Sequence, residues 1–407
     1  MSKQYKPGQH VYRLPPCPAY DVAGTENWLA ELAEEGLFLT EDGFFAGVAF
    51  FEYREPQKAE YRLEAAQKST SMWADDGGEP DPEQVELSRK YAWEYVAKRR
   101  DFYIYRSLDP SARELNTDPA VQALALNAVK KRQRSAMLTS VFFLLIYPLL
   151  LTRCCPVMAA IASGTGWTAL ALLLAALLIA DEVRAFVHLK KLQQSLTDDG
   201  YYTAESDWRK RKIPYFAGKV VKAVLTVVLL CAILRNWGVS ITNADKIPLR
   251  DYTGEIPFAT MRDFAGDGEY TETMTGMRMG FNTLEEKADW LAPRCISFNE
   301  EACIQRPDGS TLDGGLYVNY YELRSPTLAK LLAKELYRYD KRQKGIDPLE
   351  APALAADEVI AYRSSLHFPT VILRRGNVVV RAYFYQTSAY KMPLETWASI
   401  LFDSIVG

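Results

Sequence analysis

The residues with most chemistry to offer are two cysteines, Cys295 and Cys303, a run of cations, Arg209-Lys210-Arg211-Lys212, and the adjacent acids Asp181 and Glu182. Cys295 and Cys303 flank Asn299 symmetrically. In a hairpin turning over 298–300 they would face each other across two strands, and an oxidising compartment would join them as a disulfide; free thiols are the alternative. Two cysteines with no nearby histidine do not make a tetrahedral zinc site. Cys17, Cys154, Cys155 and Cys231 read as ordinary buried or membrane-embedded thiols. Arg209, Lys210, Arg211 and Lys212 suit an anionic lipid surface and serve equally as a plain topology signal. Asp181 and Glu182 are either carboxylates of a transport path or headgroup-level groups beside Arg184. No acid lies mid-span, so the second reading is preferred.

Catalytic constellations are absent from the sequence. It holds no G-x-x-x-x-G-K-[ST] loop, G-x-G-x-x-G fingerprint, G-x-S-x-G elbow, H-E-x-x-H or C-x-x-C. Its three histidines, His10, His188 and His367, fall in three different parts of the chain. His-based metal centres and Ser-His-Asp catalysis are therefore not expected, and His367 reads as structural. No cofactor, metal or enzymatic activity is expected.

What must position these residues is a cluster of apolar segments between about 136 and 234. Three are long enough to cross roughly 30 Å of hydrocarbon as helices, at about 136–153, 167–186 and 216–234. The second is ambiguous; 157–180 is its other placement. Charge is distributed unevenly around them. Residues 1–118 carry 14 Lys and Arg against 22 Asp and Glu, residues 119–235 carry 15 against 6, and residues 236–407 carry 19 against 23. Cations gather ahead of the first segment and in the loop 187–215, so these ends are expected in the cytoplasm and the region beyond 236 outside. The polar stretch 1–9 has no apolar core, so no signal peptide is expected. Two acidic flanking domains argue against nucleic acid as a partner. The expected fold class is α+β soluble domains on both sides of a three-helix transmembrane region, divided as 1–118, 119–235 and 236–407.

Residues 10–107 read as β-α-β-β-α-β-β. Thr25 is expected to cap a helix burying Trp28, Leu29, Leu32 and Ala33, closed by Gly36. Strands follow at 43–53 and 59–65, an acidic loop at 75–83, a helix near 82–91, and strands at 93–97 and 102–106. Trp28, Trp93 and their aromatic neighbours are read as core in preference to a ligand pocket. Val121, Leu124, Ala125 and Val129 stand at helical spacing, so 119–131 is expected to run into the first apolar segment. The series Tyr20-Asp21, Glu26-Asn27-Trp28-Leu29, Glu35-Gly36-Leu37, Glu60-Tyr61-Arg62-Leu63, Trp93-Glu94-Tyr95-Val96 and Tyr103-Ile104-Tyr105-Arg106, closed by Leu115-Asn116-Thr117-Asp118-Pro119, resembles the DUF2812 family. The resemblance implies a cytoplasmic domain fused to membrane helices in a bacterial cell membrane, often encoded near PadR-type regulators, with no assigned activity. Ala92 departs from the family pattern, which commonly has Gly before that Trp.

Beyond the apolar segments, 236–279 reads as an irregular arm. Asn282 and Glu285 form a capping-box pattern for a helix carrying Leu284, Ala288 and Leu291. A strand is expected at 315–323, then a helix from Ser325-Pro326 with Leu328, Leu331, Leu332, Leu336 and Tyr339 on one face, ending at Gly345. Residues 346–357 read as a connection. A hairpin over 368–374 and 378–386 turns at Gly376-Asn377, and Pro393 opens a last helix with Leu394, Trp397, Leu401 and Ile405 inward. The order is α-β-β-β-α-β-β-α. The function expected is a non-enzymatic signalling or regulatory membrane protein with the lipid bilayer and a protein as partners; an accessory subunit of a transporter or envelope-assembly complex is the alternative.

Overall fold

The structure is a computed structural model describing residues 5–66, 80–113, 115, 119–198, 208–242, 245–272, 282–343, 345–364 and 367–405. The expected loop 75–83 is outside the described residues as far as 79, as are 116–118 of the closing motif, 199–207 of the loop 187–215, and 273–279 of the arm. Contacts divide the chain into two units. One comprises Met1–Phe143 with Leu174–Thr226, the other Leu144–Leu173 with Val227–Gly407.

The first unit begins with β1 (His10–Arg13), α1 (Val22–Glu34), β2 (Leu37–Phe45), β3 (Val48–Tyr53), β4 (Glu60–Ala65), α2 (Pro82–Lys90), β5 (Glu94–Arg99) and β6 (Phe102–Ser107). Among the described residues two three-stranded antiparallel sheets form, in the orders β1-β3-β2 and β4-β6-β5. The run expected as one strand over 43–53 is a hairpin, because Ala46 and Gly47 both take positive φ and reverse the chain. α1 buries Trp28, Leu29, Leu32 and Ala33 against Phe51, Tyr61 and Ile104. Its cap is Asp21, whose Oδ1 accepts from Gly24 N at 3.1 Å. Thr25, the expected cap, is buried inside the first turn and receives the guanidinium of Arg99. Trp93 is 2% exposed, with its indole N–H donated to Arg113 O at 2.8 Å. Both tryptophans are thus core.

Long helices follow: α3 (Pro119–Val141), a π turn (Phe142–Ile146), α4 (Tyr147–Leu151), α5 (Pro156–Ser163), α6 (Thr165–Asp198) and α7 (Trp208–Thr242). Among the described residues two helical stretches are long and apolar enough to cross a membrane, Ala120–Leu151 and Trp208–Gly238, where three are expected from the sequence. Almost nothing covers them: 0% and 6% of their most apolar windows are buried. α6 differs because its uncharged stretch, 165–180, ends at Asp181. At ~1.5 Å per residue that stretch spans about 24 Å, short of the ~30 Å of a hydrocarbon core.

The second unit continues with β7 (Ile247–Pro248), α8 (Met261–Ala265), β8 (Glu269–Glu272), β9 (Thr283–Lys287), β10 (Arg294–Gln305), β11 (Thr311–Glu322), α9 (Pro326–Gln343), β12 (Asp347–Pro348), β13 (Glu358–Arg363), β14 (Pro369–Arg375), β15 (Val378–Gln386) and α10 (Leu394–Ser404). Among the described residues the strands form one antiparallel sheet, ordered β12-β13-β14-β15-β11-β10-β9-β7, with β8 also on β10. One sheet face packs on α8 and α10 through Phe298, Leu316, Phe384, Trp397 and Leu401. The other packs on α9 through Leu332, Leu336, Tyr362 and Val379. The expected helix over 283–291 is strand β9, with Leu284 inward opposite Phe298. Asn282, instead of capping a helix, accepts from Glu301 N across the sheet at 2.6 Å. The arm belongs to this core, since Phe258, Met261 and Phe264 are buried in it. The expected hairpin at Gly376-Asn377 joins β14 to β15, with Gly376 at φ +59°.

Ala92 occupies the left-handed region at φ 64°, where an alanine is strained by ~1–2 kcal/mol. Gly36 closes α1 at φ +87°, and a Cβ there would lie 2.6 Å from the Tyr53 ring. Ala92→Gly is expected to raise the thermal midpoint, by a gain of about 0.5–1 kcal/mol once lost chain entropy is set against released strain. Gly36→Ala is expected to lower it. Thermal melts of the two variants check both signs.

Candidate functional site

The polar residues with most to do hold the ends of the long helices. In the first unit α1 presents two carboxylates to the start of α7. Glu31 accepts from Arg209 at 2.9 Å and from the Trp208 indole at 3.3 Å. Asp21, only 2% exposed, pairs with Arg211 at 3.6 Å. Arg209 and Lys212 also lie over the Trp208 ring. Arg209 and Arg211 of the expected lipid patch therefore meet acids of α1, about 180 positions earlier in the chain. Arg99 braces this region by donating to Cys17 O at 2.6 Å, while burial pushes the Cys17 thiol up.

α3 and α6 meet the same domain. Arg132 forms an ion pair with Asp101 at 2.7 Å and donates to Ala66 O at 2.9 Å. Gln193 ties the two helices together through Ala123 O and Asn127 Oδ1, at 2.9 and 2.8 Å. Beneath these bonds Val22, Phe102, Leu126, Val129, Leu189 and Leu192 form a dry cluster. Asp181 pairs with Lys222 and lies 3.5 Å from Arg184, while Glu182 accepts from Gln133. Both acids are thus matched locally. His188 lies 5.4 Å from the Tyr20 ring, and burial holds its imidazole below the ordinary 6.5.

In the second unit the segment between α4 and α6 is held by α9 and by the turn before β10. α5 has no side-chain cap of its own. The amide of its third residue, Met158, donates instead to Glu335 Oε2 of α9 at 2.8 Å. Glu335 is 6% exposed, and its own carbonyl accepts from the Cys155 thiol. Burial, then the Glu335 charge, push that thiol up. The first residue of α6, Thr165, donates both its amide, at 2.7 Å, and its hydroxyl to Asp289. The last carbonyls after α4 receive cations: Arg338 donates to Cys154 O at 3.2 Å and Arg342 to Arg153 O. The chemistry matches the helix dipole, with acids at N-termini and cations at C-termini. Val157, Met158 and Ile161 pack on α9 below these bonds.

Cys295 and Cys303 do not come together. Both lie on β10, which runs straight through 298–300, and Asn299 pairs with Tyr317 on one side and Thr283 on the other. Eight residues along a strand separate them by about 26 Å, and both are free thiols. The expected hairpin turn falls instead beyond β10, at Gly309 with φ +80°. His10 sits on β1, His188 on α6 and His367 ahead of β14. Among the described residues no group of three or more His, Cys, Asp or Glu forms a metal cluster. An open polar groove of about 320 Å³ lies between β2 and β5. Its arginines are matched to its own acids, Arg106 to Glu94 at 2.6 Å and Arg54 to Glu52 at 2.7 Å.

Within each unit, these contacts hold the stretches of long helix that belong to it. Residues 21–140 match the model of a family described as a protein of unknown function, DUF2812. The N-terminal part of the chain is a DUF2812 domain, and the match runs on through most of α3. No curated protein and no solved structure shows significant similarity to the chain.

Glu335→Ala is expected to leave the Met158 amide buried without an acceptor, at a cost of about 1–3 kcal/mol. Hydrogen exchange at Met158 should then accelerate by roughly 5- to 150-fold, whereas Glu335→Gln keeps an acceptor and most of the protection. His188 gives a pH dependence. Its folded-state pKa is depressed, so its contribution is full above about 6.5 and is lost progressively as pH falls below that value, where the unfolded chain binds the proton first. Between about pH 7.5 and 5.5 the wild type should lose more stability than His188→Phe, which titration by thermal melts would show.

Proposed function

We propose that this is a non-enzymatic, multi-pass protein of a bacterial cell membrane that couples a domain outside the cell to a DUF2812 domain in the cytoplasm, in a signalling or regulatory role. In this reading the chain crosses by α3–α4, returns by α6 and leaves again by α7. The observation that carries it is the division of the helices. Residues up to 143 and from 174 to 226 cluster with the DUF2812 domain, while 144–173 and everything from 227 cluster with the C-terminal sheet. The stretches α3–α4, α6 and α7 are each divided between the two units, and this division supports the reading of three passes. The two unburied apolar helices and the Lys/Arg excess on the DUF2812 side support the same arrangement. α6 serves as the return despite its short apolar stretch, because Asp181 and Glu182 at its end are matched by Lys222 and Gln133. Bacterial origin rests on the family resemblance.

External protease on intact cells is expected to remove the region beyond about 245 and to spare the DUF2812 domain. Epitopes placed in 199–207 should be reached only after the membrane is opened. Reporters showing both ends in one compartment would overturn the reading. Crosslinking in native membranes followed by co-purification tests the role: a cytoplasmic regulator supports it, and stable recovery of a transport ATPase or permease favours an accessory subunit instead.

A further inference from the structure

The exposed face of α9 is a row of cations. Lys330, Lys334, Arg338, Lys341 and Arg342 are exposed at three- and four-residue spacing, with Leu331 46% exposed among them. The acids of the same helix are occupied elsewhere, Glu335 at Met158 N and Asp340 at Arg381 and Tyr362. Just ahead of α9, Arg324 lies 5.9 Å from the ring of Trp290 and donates to the Trp290 carbonyl; that ring is 67% exposed.

The location of this face is set at two points. Near its C-terminal end, Arg338 and Arg342 hold the carbonyls that follow α4, the end of the first apolar helix. Near its N-terminal end, the turn carrying Trp290 places Asp289 on the first amide of α6, where the next apolar stretch begins. α5 lies against α9 between these points. With its C-terminal half bonded to the turn after α4, and Arg324 just ahead of it bonded to the turn that holds α6, α9 in the membrane reading runs along the membrane surface rather than away from it. A row of cations with a half-apolar margin and an exposed tryptophan fits an interface whose polar layer is anionic.

We propose that α9 lies along the outer headgroup layer, with Lys330, Lys334 and Arg324 binding anionic lipid headgroups and Trp290 seated at the water–lipid boundary. The proposal rests on the membrane reading above. It assigns the lipid contact to the C-terminal unit, beside whatever lipid contact Arg209–Lys212 make.

The test uses the full chain in nanodiscs of phosphatidylcholine with about a quarter phosphatidylglycerol, a composition chosen to give a surface that attracts cations. Brominated lipid should quench a tryptophan component that disappears in Trp290→Phe. Phosphatidylglycerol retained on extraction should fall at least twofold in Lys330→Glu/Lys334→Glu, whose exposed positions leave the fold intact by circular dichroism. If Trp167, in the first turn of α6, and Trp237, near the end of α7, are quenched while Trp290→Phe changes nothing and retained lipid is unaffected, the proposal is wrong and the membrane reading stands. If no tryptophan is quenched, both are wrong.

Discussion

The end of an apolar helix is its most expensive part. The first four amides and last four carbonyls have no partner within the helix, and any that are buried must find one elsewhere. In this chain the folded units provide the partners. Glu335 takes an amide of α5 and Asp289 the first amide of α6; the late carbonyls of α4 accept from the backbone of 152–154, and Arg338 and Arg342 bond the carbonyls of that turn.

The two grips work by different chemistry. In the DUF2812 unit the ion pairs to Arg209 and Arg211 are largely exposed on their cationic side and are worth about 0–1 kcal/mol each. Buried Val129, Leu189 and Leu192 contribute more, at roughly 1.5–3 kcal/mol per side chain. That grip is mainly apolar and will tolerate salt. The grip on α5 and α6 depends on directed bonds from charged groups, of which Glu335 is nearly buried. Such bonds are worth about 1.5–3 kcal/mol each, and losing one strands a buried partner.

Much of the local structure was legible in the sequence. Helical spacing in 328–339, the Gly376-Asn377 turn and the inward face of Trp397 and Leu401 lead directly to α9, β14–β15 and α10. The region 282–305 was misread for a physical reason. Ile296, Phe298, Ala302 and Ile304 alternate inward as a strand should, but the inward position between them is Glu300. A carboxylate there hides the period. It is buried because Met261 N and Tyr270 OH both donate to it at 2.7 Å, and burial pushes its pKa up. Without that continuous strand, Cys295 and Cys303 looked like partners across a turn. The grips themselves were not legible. Asp21 and Glu31 stand about 180 residues from Arg209 and Arg211, and Glu335 a similar distance from Met158, so only the fold brings them together.

If the grips join the two units mechanically through α3–α4 and α6, loosening one should be felt at the other. Hydrogen exchange on the full chain in nanodiscs, comparing wild type with Val129→Ala, addresses this directly, since Val129 lies in the DUF2812 grip and touches none of the α9 contacts. The account predicts faster exchange both near Val129 and across α5, with the β10–β11 ladder unchanged. Faster exchange confined to the neighbourhood of Val129, with α5 as protected as before, would contradict it.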